Sequence, residues 1–378
     1  MHIADVTLFF APHSGGVKRY LLAKHRHFSR QSATRHSLIV PGARDAEVAH
    51  GVFEMKSPRV PYSGGYRVPL FPHRWRKLLN RLAPDIIEAG DPYHLAWTVL
   101  GAARDLGIPA VAFAHSDFSR MLASHVSPIA GWMADAYLRR LYARFDVVMA
   151  PSRSTAERLK QRGVTNVLIQ PLGVDGDIFH PGARDPHLRA ELDLASDVRL
   201  LVFAGRMARE KQIPLLVESL ANLGDSYHLL LIGGECRERL ASNVTVLPYE
   251  QESSHLARLL ASADALVHAG AHETFGLIVL EAMACGIPVV GVRSGALTEL
   301  IDGDVGILAE RIDAISFTAA IQRLFSCDRA AMGLRAREKV ENAYTWKSTF
   351  ARQAERYSRL TRREGGADCA EADAARAQ

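Results

Sequence analysis

Residues 268–291 read HAGAHETFGLIVLEAMACGIPVVG. Two glutamates, Glu273 and Glu281, stand seven uncharged residues apart in a run that is otherwise almost wholly apolar. A carboxylate in such surroundings costs free energy unless it has a partner. The local pattern fixes where each one sits. Ala265–His268 reads as a strand, AGAHET as a loop, and Gly276–Cys285 as a helix that Gly286 stops, with Pro288–Val292 opening the next strand. Strand, loop, helix and strand at these lengths make a βαβ unit of a parallel sheet, so the fold class is α/β.

In such a unit the helix N-terminus, with its unpaired N–H groups and partial positive charge, faces the ligand side. Thr274, Phe275, Gly276 and Leu277 can offer backbone N–H groups there to an anion or to sugar hydroxyls, and Gly276 allows close approach. Glu273 falls in the loop and Glu281 inside the helix, several Å further along its axis at ~1.5 Å per residue. That spacing suits two parts of one elongated ligand better than the closely paired carboxylates of a retaining glycosidase. Carboxylates accept paired hydrogen bonds from the neighbouring hydroxyls of ribose or hexose. The alternative is plainer: Glu281 pairs with an Arg or Lys, and Glu273 is an exposed loop residue.

The same alternation of short apolar runs and amphipathic stretches extends through the chain. Front-half strands are expected at Ile3–Phe10, Ser37–Val40, Asp85–Glu88, Ala110–Ala114, Val147–Ala150 and Val167–Gln170, with helices at Gly16–Ser29, Tyr93–Leu106 and Ile129–Phe145. Back-half strands are expected at Leu200–Ala204, His228–Ile232 and Val244–Leu247, besides the two named above, with helices at Ile213–Asn222, Ser254–Ser262 and Ala314–Phe325. Residues 171–186, PLGVDGDIFHPGARDP, have the composition of a linker. Two doubly wound, Rossmann-like domains are therefore expected, 1–180 and 181–342, with ligand in a cleft that they face. After about residue 363 the sequence EGGADCAEADAARAQ shows no apolar periodicity and is expected to be disordered.

Charge is uneven: residues 1–185 hold 24 Lys and Arg against 15 Asp and Glu, the remainder 22 against 26. A basic front half suits an anionic partner such as a membrane surface, a phosphorylated lipid or an acidic glycan, although a basic surface that merely confers solubility is as good a reading. No nucleic-acid motif is present, so nucleic acid is not expected. Four scattered cysteines argue against a disulfide framework or a zinc site and fit a reducing, cytoplasmic setting. The opening MHIADVTLFF does not read as a signal peptide, and no apolar run approaches ~18 residues.

Other candidate stations lie at strand ends. FAGRMAREKQ (203–212) sets Gly205, Arg206 and Lys211 at a strand-to-helix turn, where a guanidinium fork and an ammonium suit a diphosphate or are simply solvated. In APHSGGVKRY (11–20), Gly15 and Gly16 can cradle a phosphate at a helix start, and Lys18 lies on the acceptor side or on a solvated face. VAFAHSDF (111–118) ends a strand at His115, a structural hydrogen-bonder or a site residue, with Asp117 beyond as an acceptor-side candidate, and DPYH (91–94) carries Asp91, which would line the acceptor pocket. Asp175 and Asp177, in DGD, imitate a metal-binding D-x-D, but their hinge setting makes metal binding unexpected. FPHRWRKLLNRL (71–82) interleaves Trp75 and leucines with cations; it either docks at a membrane interface or forms an ordinary amphipathic surface helix.

HETFGLIVLEAMACGIPVVG resembles the E-x7-E motif of glycosyltransferase family 4, retaining GT-B enzymes that use nucleotide sugars. The resemblance implies that Glu273 lies by the donor sugar hydroxyls and Glu281 holds the nucleotide ribose. It implies that Arg206 and Lys211, spaced like the family's G-R-x-x-x-x-K element, stabilise the leaving diphosphate. Gly15 and Gly16 match the family's G-G-V turn, and His115 its active-site histidine by the reacting sugar. VRSGALTELI (292–301) resembles the family's G-G-x-x-E turn, except that Ser294 replaces the first glycine, so an approach of Thr298 and Glu299 to the donor is less secure. Residues 343–362 resemble the C-terminal helix that returns to the front domain. The implied chemistry is metal-independent transfer, with retention, from GDP-mannose or a UDP-sugar to a glycan or lipid-linked hydroxyl, by a cytoplasmic protein at or near the membrane. In look, the segment is nearest to mannosyltransferases that use GDP-mannose. A GT-B epimerase and a non-catalytic nucleotide-sugar or glycan binder remain the rival readings.

Overall fold

Strands buried on both faces read as nearly unbroken apolar runs, as parallel sheets require. In the computed structural model, which describes residues 1–362 other than His13, Tyr62, Cys236 and Arg237, these runs gather into two compact units. One is Met1–Pro171 together with residues 349–362; the other is Leu172–Ser348.

In the first unit the order is β1 (His2–Val6), α1 (Gly15–Ser29), β2 (Arg35–Gly42), β3 (Ala46–Ala49), β4 (Val52–Lys56), α2 (Pro72–Leu82), β5 (Ile86–Ala89), α3 (His94–Leu106), β6 (Ala110–Phe113), α4 (Phe118–His125), α5 (Pro128–Tyr142), β7 (Val147–Ala150), α6 (Arg153–Gln161) and β8 (Val167–Ile169). Its sheet runs β3-β4-β2-β1-β5-β6-β7-β8, parallel except where β3 meets β4. The chain order reverses between β1 and β5, the topological switch point at which doubly wound sheets bind ligands. Helices start on side-chain caps where the sequence offers them: Asp117, Ser127 and Ser152 accept N–H groups from the first turns of α4, α5 and α6.

The second unit contains α7 (Leu188–Glu191), β9 (Arg199–Ala204), α8 (Ile213–Leu223), β10 (Tyr227–Gly234), β11 (Glu238–Ala241), β12 (Val244–Pro248), α9 (Ser253–Ala261), β13 (Ala265–His268), α10 (Leu277–Ala284), β14 (Val289–Val292), α11 (Leu297–Leu300), β15 (Gly306–Ala309), α12 (Ala314–Phe325) and α13 (Arg329–Ala343). Its sheet runs β11-β12-β10-β9-β13-β14-β15, parallel except for β11, and its switch point lies between β9 and β13. Helix α14 (Trp346–Thr361) begins in this unit and continues into the first.

Several expectations change. Strand β1 stops at Val6, not Phe10, because Asp91 captures the Leu8 N–H at 2.6 Å and the Thr7 hydroxyl at 3.2 Å, turning TLFF into a pinned loop. The break between units falls at Pro171/Leu172, upstream of 180/181. Residues 174–179 belong with the second unit because Arg337 donates to the carbonyls of Gly176 and Phe179, and Val174 bridges to Thr345. DGD is part of this anchoring, with the Asp175 carboxylate accepting the Asp177 N–H. Of the two readings of 71–82, α2 takes the amphipathic one: Trp75, Leu78 and Leu79 are buried in the core of the first unit, where the helix packs against α3. Strands β3, β4, β11 and β15 and helices α4, α6, α7, α11 and α13 are additions to the expected elements. Residues 363–378, expected to be disordered, lie outside the described residues.

Candidate active site

Two loops flank the switch point of the second unit. The first follows β9 and carries Gly205, Arg206 and Lys211; the second follows β13 and carries Glu273. The first turn is possible because Gly205 takes φ +154° and its neighbour Gly233, at the end of β10, has φ +143°. A Cβ on Gly233 would lie 1.8 Å from the Gly205 carbonyl oxygen, so the two strand ends abut backbone to backbone.

Glu273 sits between two nitrogens. The Lys211 ammonium donates to Oε1, and His268 Nε2 lies 3.1 Å from the same oxygen. His268 is buried, and its Nδ1 accepts the Gly270 N–H at 3.1 Å, which leaves the proton on Nε2, the nitrogen beside Glu273. Gly270 has no room for a side chain, since a Cβ would lie 2.6 Å from His268 Cε1. Burial alone raises a carboxyl pKa, but the Lys211 charge and the His268 contact outweigh it and hold Glu273 well below the usual carboxylate range. Glu273 is therefore an ionised acceptor at every working pH. Arg206 lies apart from this contact: its side chain is mostly exposed and reaches Glu210 at 3.4 Å.

The Glu273 loop is braced from the next strand. Ser294, at the position where a glycine was expected, donates its hydroxyl to the Ala271 carbonyl at 2.6 Å. Ala296 N–H reaches the Glu273 carbonyl at 3.4 Å, and Gly295 (φ +56°) passes so close that a Cβ would lie 2.9 Å from that same oxygen. Serine thus replaces glycine with a gain in anchoring. Thr298 donates to the Gly295 carbonyl at 2.9 Å, which closes this turn.

Gly276 takes φ +89° and opens α10, so Thr274 and Phe275 lie in the approach and Leu277 in the first turn. Glu281 is buried on the fifth position of α10. Burial, and then the Glu281 charge, push the neighbouring Cys285 thiol up to about 12, so this cysteine is an inert core group. Among the described residues, no three His, Cys, Asp or Glu side chains gather as a metal site would need.

The expected residues of the first unit also lie at strand carboxyl ends. Gly15 (φ +56°) opens α1, Gly16 follows, and Lys18 packs over the Phe10 ring at 5.3 Å. His115 follows β6, buried, stacked on Phe113 at 4.0 Å and faced by Tyr20 at 5.0 Å. Burial, and then the Lys24 charge, lower its pKa to about 3, so it is a neutral imidazole at ordinary pH. Asp91 is buried and holds the β1–α1 loop; burial pushes it up to about 6 despite three hydrogen bonds. Asp117 caps α4 and pairs with Arg162 at 2.8 Å and Arg158 at 3.2 Å. Both acids are thus engaged in holding the fold.

Sequence reasoning missed His268, whose one signal is a histidine at a strand end five residues before the motif glutamate. It also missed a buried cluster in which Lys24 donates to Asp5 and Glu88, each at 2.9 Å, and to the Tyr357 hydroxyl at 2.8 Å.

Two Rossmann-like units, one with an ionised carboxylate and a lysine set across its switch point, define a GT-B glycosyltransferase. A sucrose-phosphate synthase from Thermosynechococcus elongatus is similar in fold, with a TM-score of 0.78 over 95% of this chain and 99% of that one at 21% identity. Sequence models described as "Glycosyltransferase Family 4" and "Glycosyl transferases group 1" match residues 14–177 and 198–327. A GDP-mannose-dependent alpha-(1-6)-phosphatidylinositol dimannoside mannosyltransferase of Mycobacterium tuberculosis is 34% identical over 93% of this chain and 94% of its own. A GDP-mannose-dependent alpha-mannosyltransferase of Mycolicibacterium smegmatis is 33% identical over 92% and 94%. The chain belongs to glycosyltransferase family 4 and is a glycosyltransferase that draws on a nucleotide sugar.

Proposed function

We propose that the protein transfers mannose from GDP-mannose to a hydroxyl of a glycan or lipid-linked acceptor, with retention of anomeric configuration and without a metal. The observation that carries the reading is the Lys211–Glu273–His268 contact across the switch point, in a chain whose relatives are named for GDP-mannose. In this reading Glu273, ionised and oriented by His268, accepts hydrogen bonds from the donor sugar. Glu281 takes the ribose diol, and the N–H groups of Thr274, Phe275, Gly276 and Leu277 face the phosphates, as does the turn at Gly205.

Lys211 and Arg206 meet the charge that builds on the leaving diphosphate as the glycosidic bond breaks, worth several kcal/mol, roughly, of barrier lowering. The acceptor oxygen bonds to the anomeric carbon on the face the diphosphate leaves, and the acceptor proton passes to a diphosphate oxygen. Gly15 and Gly16 approach the donor phosphate, and Lys18 lies on the acceptor side. His115, being neutral, positions sugar hydroxyls and is not an acid. Asp91 and Asp117 shape the acceptor side through the loops they hold. A lipid-linked acceptor implies work at the cytoplasmic face of a membrane.

The test is nucleoside diphosphate release from a panel of GDP- and UDP-sugars, with and without lipid and glycan acceptors. GDP-mannose is expected to be consumed only with acceptor, equally in EDTA, giving an α-linked product. Donor consumption without acceptor would point to an epimerase, no turnover to a binding protein, and loss in EDTA to a required metal.

A further inference from the structure

Helix α5 is apolar on two sides. One face packs inward through Gly131, Ala134, Leu138 and Leu141. On the other, Ile129, Trp132 and Met133, at helical spacing i, i+3 and i+4, are 71%, 72% and 61% exposed. Val126 in the preceding turn (68%) and Met121 on α4 (41%) extend the patch. A helix that is apolar all round is found buried or in contact with lipid. The hairpin is stiff as well as apolar: a Cβ on Gly131 would lie 2.6 Å from Ala123 Cβ and 3.2 Å from the Ser119 carbonyl.

Charge selects the occupant. From Phe118 to Tyr142 the one acid is Asp135, which Arg162 already neutralises at 2.8 Å. Arg120, Arg139 and Arg140 are exposed around the apolar side chains. An exposed tryptophan among aliphatic side chains, with arginines and no available carboxylate, has the composition of a helix lying in an anionic bilayer interface. Among the described residues no helix is long and apolar enough to cross a membrane.

We propose that the α4–α5 hairpin is a membrane-docking surface that seats Val126, Ile129, Trp132 and Met133 in the headgroup boundary of an anionic phospholipid bilayer, with Arg120, Arg139 and Arg140 against the phosphates. This surface replaces residues 71–82 as the lipid contact, because α2 uses its own apolar face for the core. The inference goes beyond the transfer reaction and holds without it.

The test uses the full chain with vesicles of phosphatidylcholine, with and without phosphatidylglycerol. Expected are co-flotation that grows with phosphatidylglycerol and falls with salt, a blue shift of tryptophan emission, and its quenching by brominated acyl chains. Ile129→Ser/Trp132→Ser/Met133→Ser should lower partitioning about 10-fold or more, with an unchanged melting temperature because these side chains are exposed. Trp132→Phe should keep binding and lose most of the quenching. Arg139→Glu/Arg140→Glu should remove the preference for phosphatidylglycerol. Absence of vesicle binding, full binding by the triple variant, or self-association that the triple variant abolishes would each overturn the proposal. The triple variant's donor turnover with a water-soluble acceptor, expected unchanged, keeps this outcome distinct from failure of the transferase reading.

Discussion

Glu273 answers to two cationic or N–H partners before any substrate arrives, which gives its removal a definite signature. With Gln at 273, Lys211 loses its internal counter-charge and is left available to phosphate. Glu273→Gln should therefore slow transfer about 100-fold, the scale of one preorganised electrostatic contact. Free GDP should bind that variant as well as wild type or more tightly. On the proposed assignment of Glu281 to the ribose, Glu281→Gln should instead weaken GDP about 10-fold, about 1.4 kcal/mol. Calorimetric titration of GDP into both variants checks the pair, and equal losses of affinity would end the division of labour between them. At this scale the sequence shows which residues carry charge at strand ends but not what faces them. Glu273 was legible from its motif and its apolar setting. His268 was not, because a strand-terminal histidine looks the same whether it orients an acid or fills the core. The partners of Asp117 were equally hidden, because Arg158 of α6 and Arg162 just beyond it lie some forty residues along the chain.

Among the elements, α14 shows how a fold closes on charge rather than on oil. Asp5 and Glu88 stand opposite each other on β1 and β5, a pairing of like charges that costs stability unless something intervenes. Lys24 from α1 reaches both, and α14 completes the cluster with Tyr357 on Lys24 and Glu88, and Gln353 on Glu88 and Tyr20. Lys24→Met should cost about 3–5 kcal/mol, the usual loss when one partner of a buried pair is removed. The pH dependence fixes the sign. Asp5 has a folded pKa of about 2, because the charges of Lys24 and His36 overcome burial. Its contribution is thus full above the unfolded value of 3.8 and is lost as pH falls towards 2. Without Lys24, burial and Glu88 would raise that folded pKa above the unfolded one. The variant's deficit relative to wild type should then shrink between pH 7 and pH 5, a difference in which the gain that buried Asp91 (about 6) brings to both proteins cancels. Thermal melts of both proteins at the two pH values decide it, and a deficit that widens on acidification would refute the assignment. Most strands and long helices were legible because burial on both faces leaves unbroken apolar runs. Strand β3 was not, because it is an exposed edge of four residues with no apolar run to find. The direction in which α2 turns its apolar face was equally hidden, since a helix bound for lipid and one bound for the core share a single periodicity.

Across the whole molecule, the chain passes between the units twice, at 171/172 and at 348/349. The linker composition of 171–186 announced the first passage. It could not say that 172–180 belongs downstream, because that depends on Arg337 and Thr345, more than a hundred residues later. The second passage leaves an asymmetry that can be tested. Leu172–Ser348 contains its whole sheet, the braced Glu273 loop, Lys211, and its own closure, in which Val174 N–H meets the Tyr344 carbonyl at 2.8 Å. This fragment should fold alone, melt cooperatively and bind GDP. Met1–Pro171 contains its whole sheet as well but lacks Gln353 and Tyr357, so Glu88 and Lys24 lose partners inside an otherwise finished core. An unsatisfied buried polar group costs about 1–3 kcal/mol, more when it is charged, and a domain of this size has only about 5–15 kcal/mol to lose. Met1–Pro171 should therefore melt well below the same fragment given residues 349–362, whether fused through a flexible linker or added as a peptide. A peptide with Gln353→Ala and Tyr357→Phe should restore little of the difference. If the short fragment is as stable as the completed one, α14 is no part of the first unit's core and the buried cluster must be satisfied without it.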